Sequence, residues 1–129
     1  MRKHVIVIGG GVAGLEAAGR LSKAGFEVSL IEKEKRTGGH LNDWYKLFPD
    51  RRNSSEVKEY LDEITMHDGI KLLTDTTIEK FKRSETHFSL VTDKGKELVA
   101  DAVIVATGFD LFRSGRKEEY GYEDGWCLV

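Results

Sequence analysis

Val5-Ile-Val-Ile-Gly9-Gly-Gly11-Val-Ala-Gly14 decides the fold. Its first four residues are apolar and β-branched with no polar alternation, the pattern of a strand buried on both faces in a parallel sheet. From Val12 to Ala24 the apolar residues Leu15, Ala18 and Leu21 recur at helical spacing, and Gly25 stands where a left-handed helix cap is needed. A second strand over Phe26–Ile31 completes strand, helix and strand in about thirty residues, a right-handed crossover whose strands run parallel and lie adjacent or nearly so. Gly9, Gly11 and Gly14 spell G-x-G-x-x-G where the first strand becomes the helix. Gly9 permits the tight turn, Gly11 leaves no Cβ in the way of a pyrophosphate, and Gly14 lets helix and strand pack closely. The unpaired amides and positive end of the helix, at Val12 and Ala13, then face the phosphates, so an anionic dinucleotide is held without lysines.

Working outward, Glu32 closes the second strand. A carboxylate there accepts hydrogen bonds from both hydroxyls of an adenosine ribose and repels a 2′-phosphate, which favours FAD or NAD over NADP. Lys33, Glu34 and Lys35 read as a solvated charge run. Gly38-Gly39 supplies a second place where backbone lies against the pyrophosphate and ribityl chain. Ala106-Thr107-Gly108 ends a buried strand with a glycine that turns the chain beside the cofactor. Together with the intervening meander, these two features favour FAD over NAD.

The segments between them fill out the fold. Ser54 or Ser55 caps a helix over Glu56–His67, with Val57, Leu61 and Ile64 on one face, and a third parallel strand follows at Ile70–Thr74. Thr77–Lys82, Thr86–Thr92 and Glu97–Ala100 read as an antiparallel meander, the last two joined by the turn Asp93-Lys-Gly95. Ala102–Ala106 is apolar throughout and is expected to return to the centre of the parallel sheet. The expected fold is α/β: a three-layer Rossmann-like FAD-binding domain, with a parallel sheet and a three-stranded antiparallel meander. Residues 1–129 form one domain in this reading, with a polar tail from about residue 110.

In this order, G-x-G-x-x-G, Glu32, Gly38-Gly39 and Ala106-Thr107-Gly108 resemble the FAD domain of the glutathione-reductase-like, two-dinucleotide-domain flavoproteins. A narrower resemblance rests on Glu32-Lys33, Gly38-Gly39-His40-Leu41, Leu47-Phe48-Pro49, Ala106-Thr-Gly-Phe-Asp110 and Arg116-Lys-Glu-Glu-Tyr-Gly-Tyr122. These stretches are similar to the start of the A subunit of heterodisulfide reductase, a family that uses FAD to pass electrons between a two-electron donor and iron–sulfur clusters. The resemblance implies that Gly9, Gly11, Gly14, Glu32, Gly39 and Gly108 contact FAD, that Lys33 lies by the adenosine, and that Ile78 meets adenine through its backbone. Departures accompany it. The cysteines that follow the Phe-Pro pair in the family are missing from Asp50-Arg-Arg-Asn-Ser-Ser55, so no cluster is expected. The NAD(P)-binding domain and closing Gly-Asp segment of the larger two-dinucleotide-domain family are expected to lie beyond residue 129, which makes this chain a half-site.

Composition sets the remaining bounds. A formal charge of −2 creates no global field for nucleic acid or an anionic membrane, and no apolar run approaches the ~20 residues of a membrane span. Cys127 is the single cysteine, which excludes an internal disulfide, a redox-active C-x-x-C pair and a Cys-rich metal site; a reduced, cytoplasmic setting is expected. His4, His67 and His87 show no metal-ligand spacing. His40 lies near the cofactor or on the surface. Trp44, Tyr45 and Phe48 flank the isoalloxazine or pack the loop, with packing preferred, and Arg51-Arg52 reads as a solvated pair. No side chain is assigned to acid–base catalysis. The expected function is a small electron-transfer flavoprotein or redox subunit, working as a homodimer or with an iron–sulfur or NAD(P)H-oxidising partner that covers the exposed flavin. The alternatives are a non-redox FAD- or NAD-binding assembly module and a fragment of a longer NAD(P)H-dependent oxidoreductase.

Overall fold

The structure is a computed structural model describing residues 1–110. In chain order its elements are β1 (His4–Ile8), α1 (Val12–Lys23), β2 (Glu27–Ile31), a 3-10 turn (Gly39–Asp43), α2 (Ser54–Ile64), β3 (Ile70–Leu73), β4 (Ile78–Arg83), β5 (Phe88–Thr92), β6 (Glu97–Ala100) and β7 (Ala102–Val105). The polar tail after Asp110, the Arg116–Tyr122 resemblance and Cys127 lie outside the described residues.

Strands β3, β2, β1 and β7 form a parallel sheet in that order, and β4, β5 and β6 form an antiparallel one. Because strand side chains alternate with a period of two, the parallel sheet carries a different core on each face. Val7, Val28 and Leu30 meet Leu15 and Ala18 of α1 and Leu61 and Ile64 of α2. Ile6 and Ile31 point the other way, onto Leu90, Leu98 and Ala100 of the meander. The layers are therefore helices, parallel sheet and antiparallel sheet, as expected. Each fully buried Leu or Ile here contributes roughly 1.5–3 kcal/mol.

Helix α1 ends as its glycine foretells. Gly25 has φ +90°, its amide donates to Ser22 O at 3.0 Å and the Phe26 amide to Leu21 O at 3.1 Å, which closes a Schellman cap. Gly19 brings α1 against α2: a Cβ there would stand 3.0 Å from Cδ1 and Cγ2 of Ile64. The meander turn also matches its sequence, with Gly95 at φ +72° and its amide on Thr92 O at 2.9 Å.

Two expectations need correction. Ala102–Val105 does not lie at the centre of the parallel sheet: among the described residues β7 pairs with β1 alone and occupies an edge, with Val105 exposed. An apolar run reports that side chains face cores but carries no information about how many backbone neighbours the strand has. Helix α2 begins at Ser54 rather than Glu56, with Asn53 as its N-cap residue, and ends at Ile64 rather than His67. The Ser54 hydroxyl is taken by the Trp44 carbonyl and so caps nothing. Past Ile64 the chain tightens into turns in which Thr65, Met66 and His67 donate to carbonyls three residues back.

Candidate dinucleotide site

The G-x-G-x-x-G turn is built by backbone meeting backbone. Gly9 has φ +108°, and a Cβ on it would stand 2.2 Å from Ala106 O; a Cβ on Gly14 would stand 1.7 Å from Gly9 O. Neither position admits a side chain, and the reason is packing within the protein. Ala106, directly after β7, donates its amide to Ile8 O at 2.8 Å, so the Ala106-Thr107-Gly108 segment is tied to the same turn. Gly11 differs. Its φ of −77° suits any residue, and no atom lies within 4 Å of where its Cβ would be. The space in front of Gly11 is open, as a backbone that must approach a ligand requires.

Gly11 is also the N-cap residue of α1, no side chain caps the helix, and its first turn carries no acid. Among the described residues no protein acceptor meets the amides of Gly11, Val12 and Ala13. A helix start left in this state presents aligned N–H donors and the positive end of the helix dipole to an anion.

Glu32 is buried at the end of β2, and both oxygens are held by backbone: Oε2 accepts from the Gly10 amide at 2.7 Å and Oε1 from the Glu34 amide at 2.8 Å. A carboxylate offers about four lone-pair positions, so two remain for ribose hydroxyls. Gly38 donates its amide to Gly10 O at 2.8 Å, and a Cβ on Gly39 would stand 3.3 Å from Gly11 Cα. The second glycine pair thus lies directly against the first turn. His40 links it to the strand end: its Nε2 donates to Phe109 O at 2.8 Å, and the rings stack with centroids 4.9 Å apart.

The structure therefore brings Gly9, Gly11, Val12, Ala13, Gly14, Glu32, Gly38, Gly39, His40, Ala106 and Thr107 into one neighbourhood, with Gly108 (φ +73°) at its edge. Lys33 is exposed beside Glu32. Ile78 starts β4 two residues after Thr76, whose amide donates to Glu32 O at 3.0 Å, and its side chain packs on the meander core. Trp44, Tyr45 and Phe48 do not pack the loop, contrary to the preferred reading: they are 50%, 79% and 96% exposed. The loop is instead closed by backbone, through Leu47 N to Arg52 O at 2.8 Å and Ser54 N to Tyr45 O at 3.0 Å.

Two residues that sequence reasoning passed over hold the second glycine pair. Asn42 Nδ2 donates to Thr37 O and Gly39 O, each at 3.0 Å, and Thr37 is buried with its methyl facing Gly10. An Asn three residues after Gly-Gly is a signal in retrospect, since its amide reaches back over one 3-10 turn.

A turn that excludes side chains, an open uncapped helix start and a buried acid one strand over define a Rossmann-type dinucleotide-binding domain. The sequence matches the pyridine nucleotide-disulphide oxidoreductase family over residues 1–125, and the chain belongs to that family. It is 35% identical over 101 residues to the A subunit of the ferredoxin:CoB-CoM heterodisulfide reductase of Methanosarcina mazei, covering 77% of this chain and 13% of that protein. Among solved structures, L-proline dehydrogenase from P. horikoshii superposes with a TM-score of 0.68 at 27% identity, over 84% of this chain and 23% of that one. The NAD-dependent persulfide reductase from A. fulgidus gives a TM-score of 0.56 at 34% identity, over 82% and 18%. The chain thus spans about one-eighth of the length of the first curated relative it matches. The family gives the cofactor: this is an FAD-binding fold, as the ordered motifs imply.

Proposed function

We propose that this chain is the FAD-holding part of an electron-transferring flavoprotein of the heterodisulfide reductase A-subunit kind. The observation that carries the reading is the open start of α1: Gly11 has nothing in front of it, and the amides of Gly11, Val12 and Ala13 lack protein acceptors among the described residues. In this reading those amides, with Gly38 and Gly39 across from them, bind the pyrophosphate. Glu32 accepts from the ribose hydroxyls, already oriented by Gly10 and Glu34. Lys33 and the Ile78 backbone border the adenosine, and Ala106, Thr107 and Gly108 border the ribityl end, with His40 held beside them by Phe109. Bound FAD supplies one- and two-electron storage; the chain binds it, orients it and excludes a 2′-phosphorylated nucleotide.

Residues 1–129 act as one FAD domain, and the flavin ring is completed by a second copy or by an iron–sulfur or NAD(P)H-oxidising protein. Exposed Trp44, Tyr45, Phe48 and Phe109 on neighbouring segments support a contact surface there. We place the protein in the cytoplasm; among the described residues no helix is long and apolar enough to cross a membrane. Mass spectrometry of the nucleotide released from purified protein tests the reading, followed by anaerobic titration with dithionite and NADH. Released FAD that is reduced and reoxidised supports it; NAD, or no nucleotide after incubation with FAD, overturns it.

A further inference from the structure

Between the 3-10 turn and α2 the chain folds back on itself as a small hook, residues 44–53. Lys46 bridges Asn53 in antiparallel register, Leu47 donates its amide to Arg52 O at 2.8 Å, and Ser54 donates its amide to Tyr45 O at 3.0 Å and its hydroxyl to Trp44 O. At the tip, Asp50 accepts from the Arg52 amide at 3.1 Å and from its guanidinium at 3.0 Å. The backbone is fixed by its own bonds, yet Trp44, Tyr45 and Phe48 are left exposed on it. Aromatic side chains on a fixed backbone lose little freedom when covered, and such residues concentrate binding energy at protein contacts. The hook's charge is one-sided. Lys46, with its amine 5.5 Å from the Tyr45 ring centre, Arg51 and Arg52 outnumber Asp50.

The complementary surface follows directly in sequence. Helix α2 turns Leu61 and Ile64, with Val57, into the core, so its period brings Glu56, Glu59 and Glu63 together on the solvent side. Tyr60 and, just past the helix, Met66 are exposed beside them. Lys58, the only base on the helix, is paired with Asp62. Among the described residues no ion pair engages Glu56, Glu59 or Glu63, and none joins the hook to α2; Glu56 accepts from the neutral Asn53 Nδ2 at 3.3 Å. One chain thus carries a basic aromatic hook and an acidic stripe edged by Tyr60 and Met66. Hook on hook or stripe on stripe repels, whereas hook on stripe attracts. A two-fold arrangement satisfies both patches of both copies and closes on itself.

We propose that the hook of one copy docks on the Glu56, Glu59 and Glu63 face of α2 in a second copy, forming a two-fold dimer. This deepens, and rests on, the second-copy reading above by naming the two surfaces that meet.

The test is sedimentation across a concentration series of wild type, Lys46→Glu/Arg51→Glu and Glu59→Lys/Glu63→Lys, with circular dichroism to show that each is folded. Either variant alone is expected to dimerise about tenfold or more weakly than wild type. An equimolar mixture of the two is expected to recover the dimer, because each reversed surface then meets its reversed complement and each native surface its native one. The wild-type dimer is expected to weaken as salt is raised, a readout that needs no variant. A wild type that stays monomeric, a dimer indifferent to salt or to either reversal, or a mixture no tighter than its components overturns the proposal. Flavin content is measured on the same samples. Loss of the dimer with FAD retained leaves the nucleotide reading standing, and a dimer that behaves as expected without FAD leaves this one standing.

Discussion

Glu32 Oε2 accepts a 2.7 Å hydrogen bond from the Gly10 amide, so the acid that faces the ribose also fixes the turn that faces the pyrophosphate. The two halves of the candidate site are joined by one buried carboxylate.

Replacing that carboxylate has two separable effects. A hydrogen bond to a charged group is worth about 1.5–3 kcal/mol, so Glu32→Ala is expected to weaken FAD binding roughly ten- to a hundredfold. It also strands the Gly10 and Glu34 amides, and apoprotein Tm falls. Glu32→Gln keeps one acceptor oxygen and is expected to spare part of the Tm while still losing affinity. Flavin fluorescence titration and apoprotein melting read the two separately; equal FAD affinity in wild type and Glu32→Ala removes the ribose contact from the proposal.

Gly11 and Gly14 are expected to fail in different ways. A Cβ on Gly14 would overlap Gly9 O at 1.7 Å, so Gly14→Ala destabilises the apoprotein by several kcal/mol, on the order of the largest overpacking penalties. A Cβ on Gly11 meets nothing within 4 Å, so Gly11→Val is expected to leave the apoprotein folded while blocking FAD. Circular dichroism melts of both apoproteins, beside FAD titrations, check the contrast. A Gly11→Val protein that still binds FAD at wild-type affinity shows that the open space is not where the cofactor lies.

The α1–α2 contact offers a double-mutant test. Gly19→Ala gains up to about 1 kcal/mol of helix propensity but presses on Ile64, whereas Ile64→Val removes one of the two nearest atoms. The double variant is expected to be more stable than the sum of the single changes, measured by urea unfolding; simple additivity contradicts the contact.

The loop between the 3-10 turn and α2 is expected to loosen in acid. The Arg52 amide, donating to Asp50 at 3.1 Å, and then the Arg52 charge hold the Asp50 carboxyl below its ordinary pKa. A depressed folded-state pKa contributes stability that is full above the ordinary aspartate range and is lost as pH falls through the lowered value. The Arg52 amide resonance should shift over that acidic window in wild type and stay flat in Asp50→Asn.

Association is expected to follow the cofactor. Covering ~100 Å² of flavin ring yields about 2.5 kcal/mol, so FAD-loaded protein should associate, with itself or with a redox partner, more tightly than apoprotein. Sedimentation across a concentration series, with Phe48→Ser and Tyr45→Ser as variants, reads this. A holoprotein that stays monomeric, binds no partner and still exchanges electrons rapidly defeats it.

The amino-acid order alone determined the crossover unit, the capped end of α1, the meander turn and the membership of the glycine–acid–glycine set, because each rests on short-range constraints: apolar period, positive φ and the space a Cβ occupies. Tertiary structure alone decided that β7 lies at an edge, that Trp44, Tyr45 and Phe48 face outward, and that Asn42 and Thr37 hold the second glycine pair. It also decided that His4, Ser29 and Val99, spread over 95 positions of sequence, meet through one imidazole. Periodicity reports which face of a strand is apolar but not which backbone lies beside it, and a side chain's partners across layers are set by how the two sheets stack.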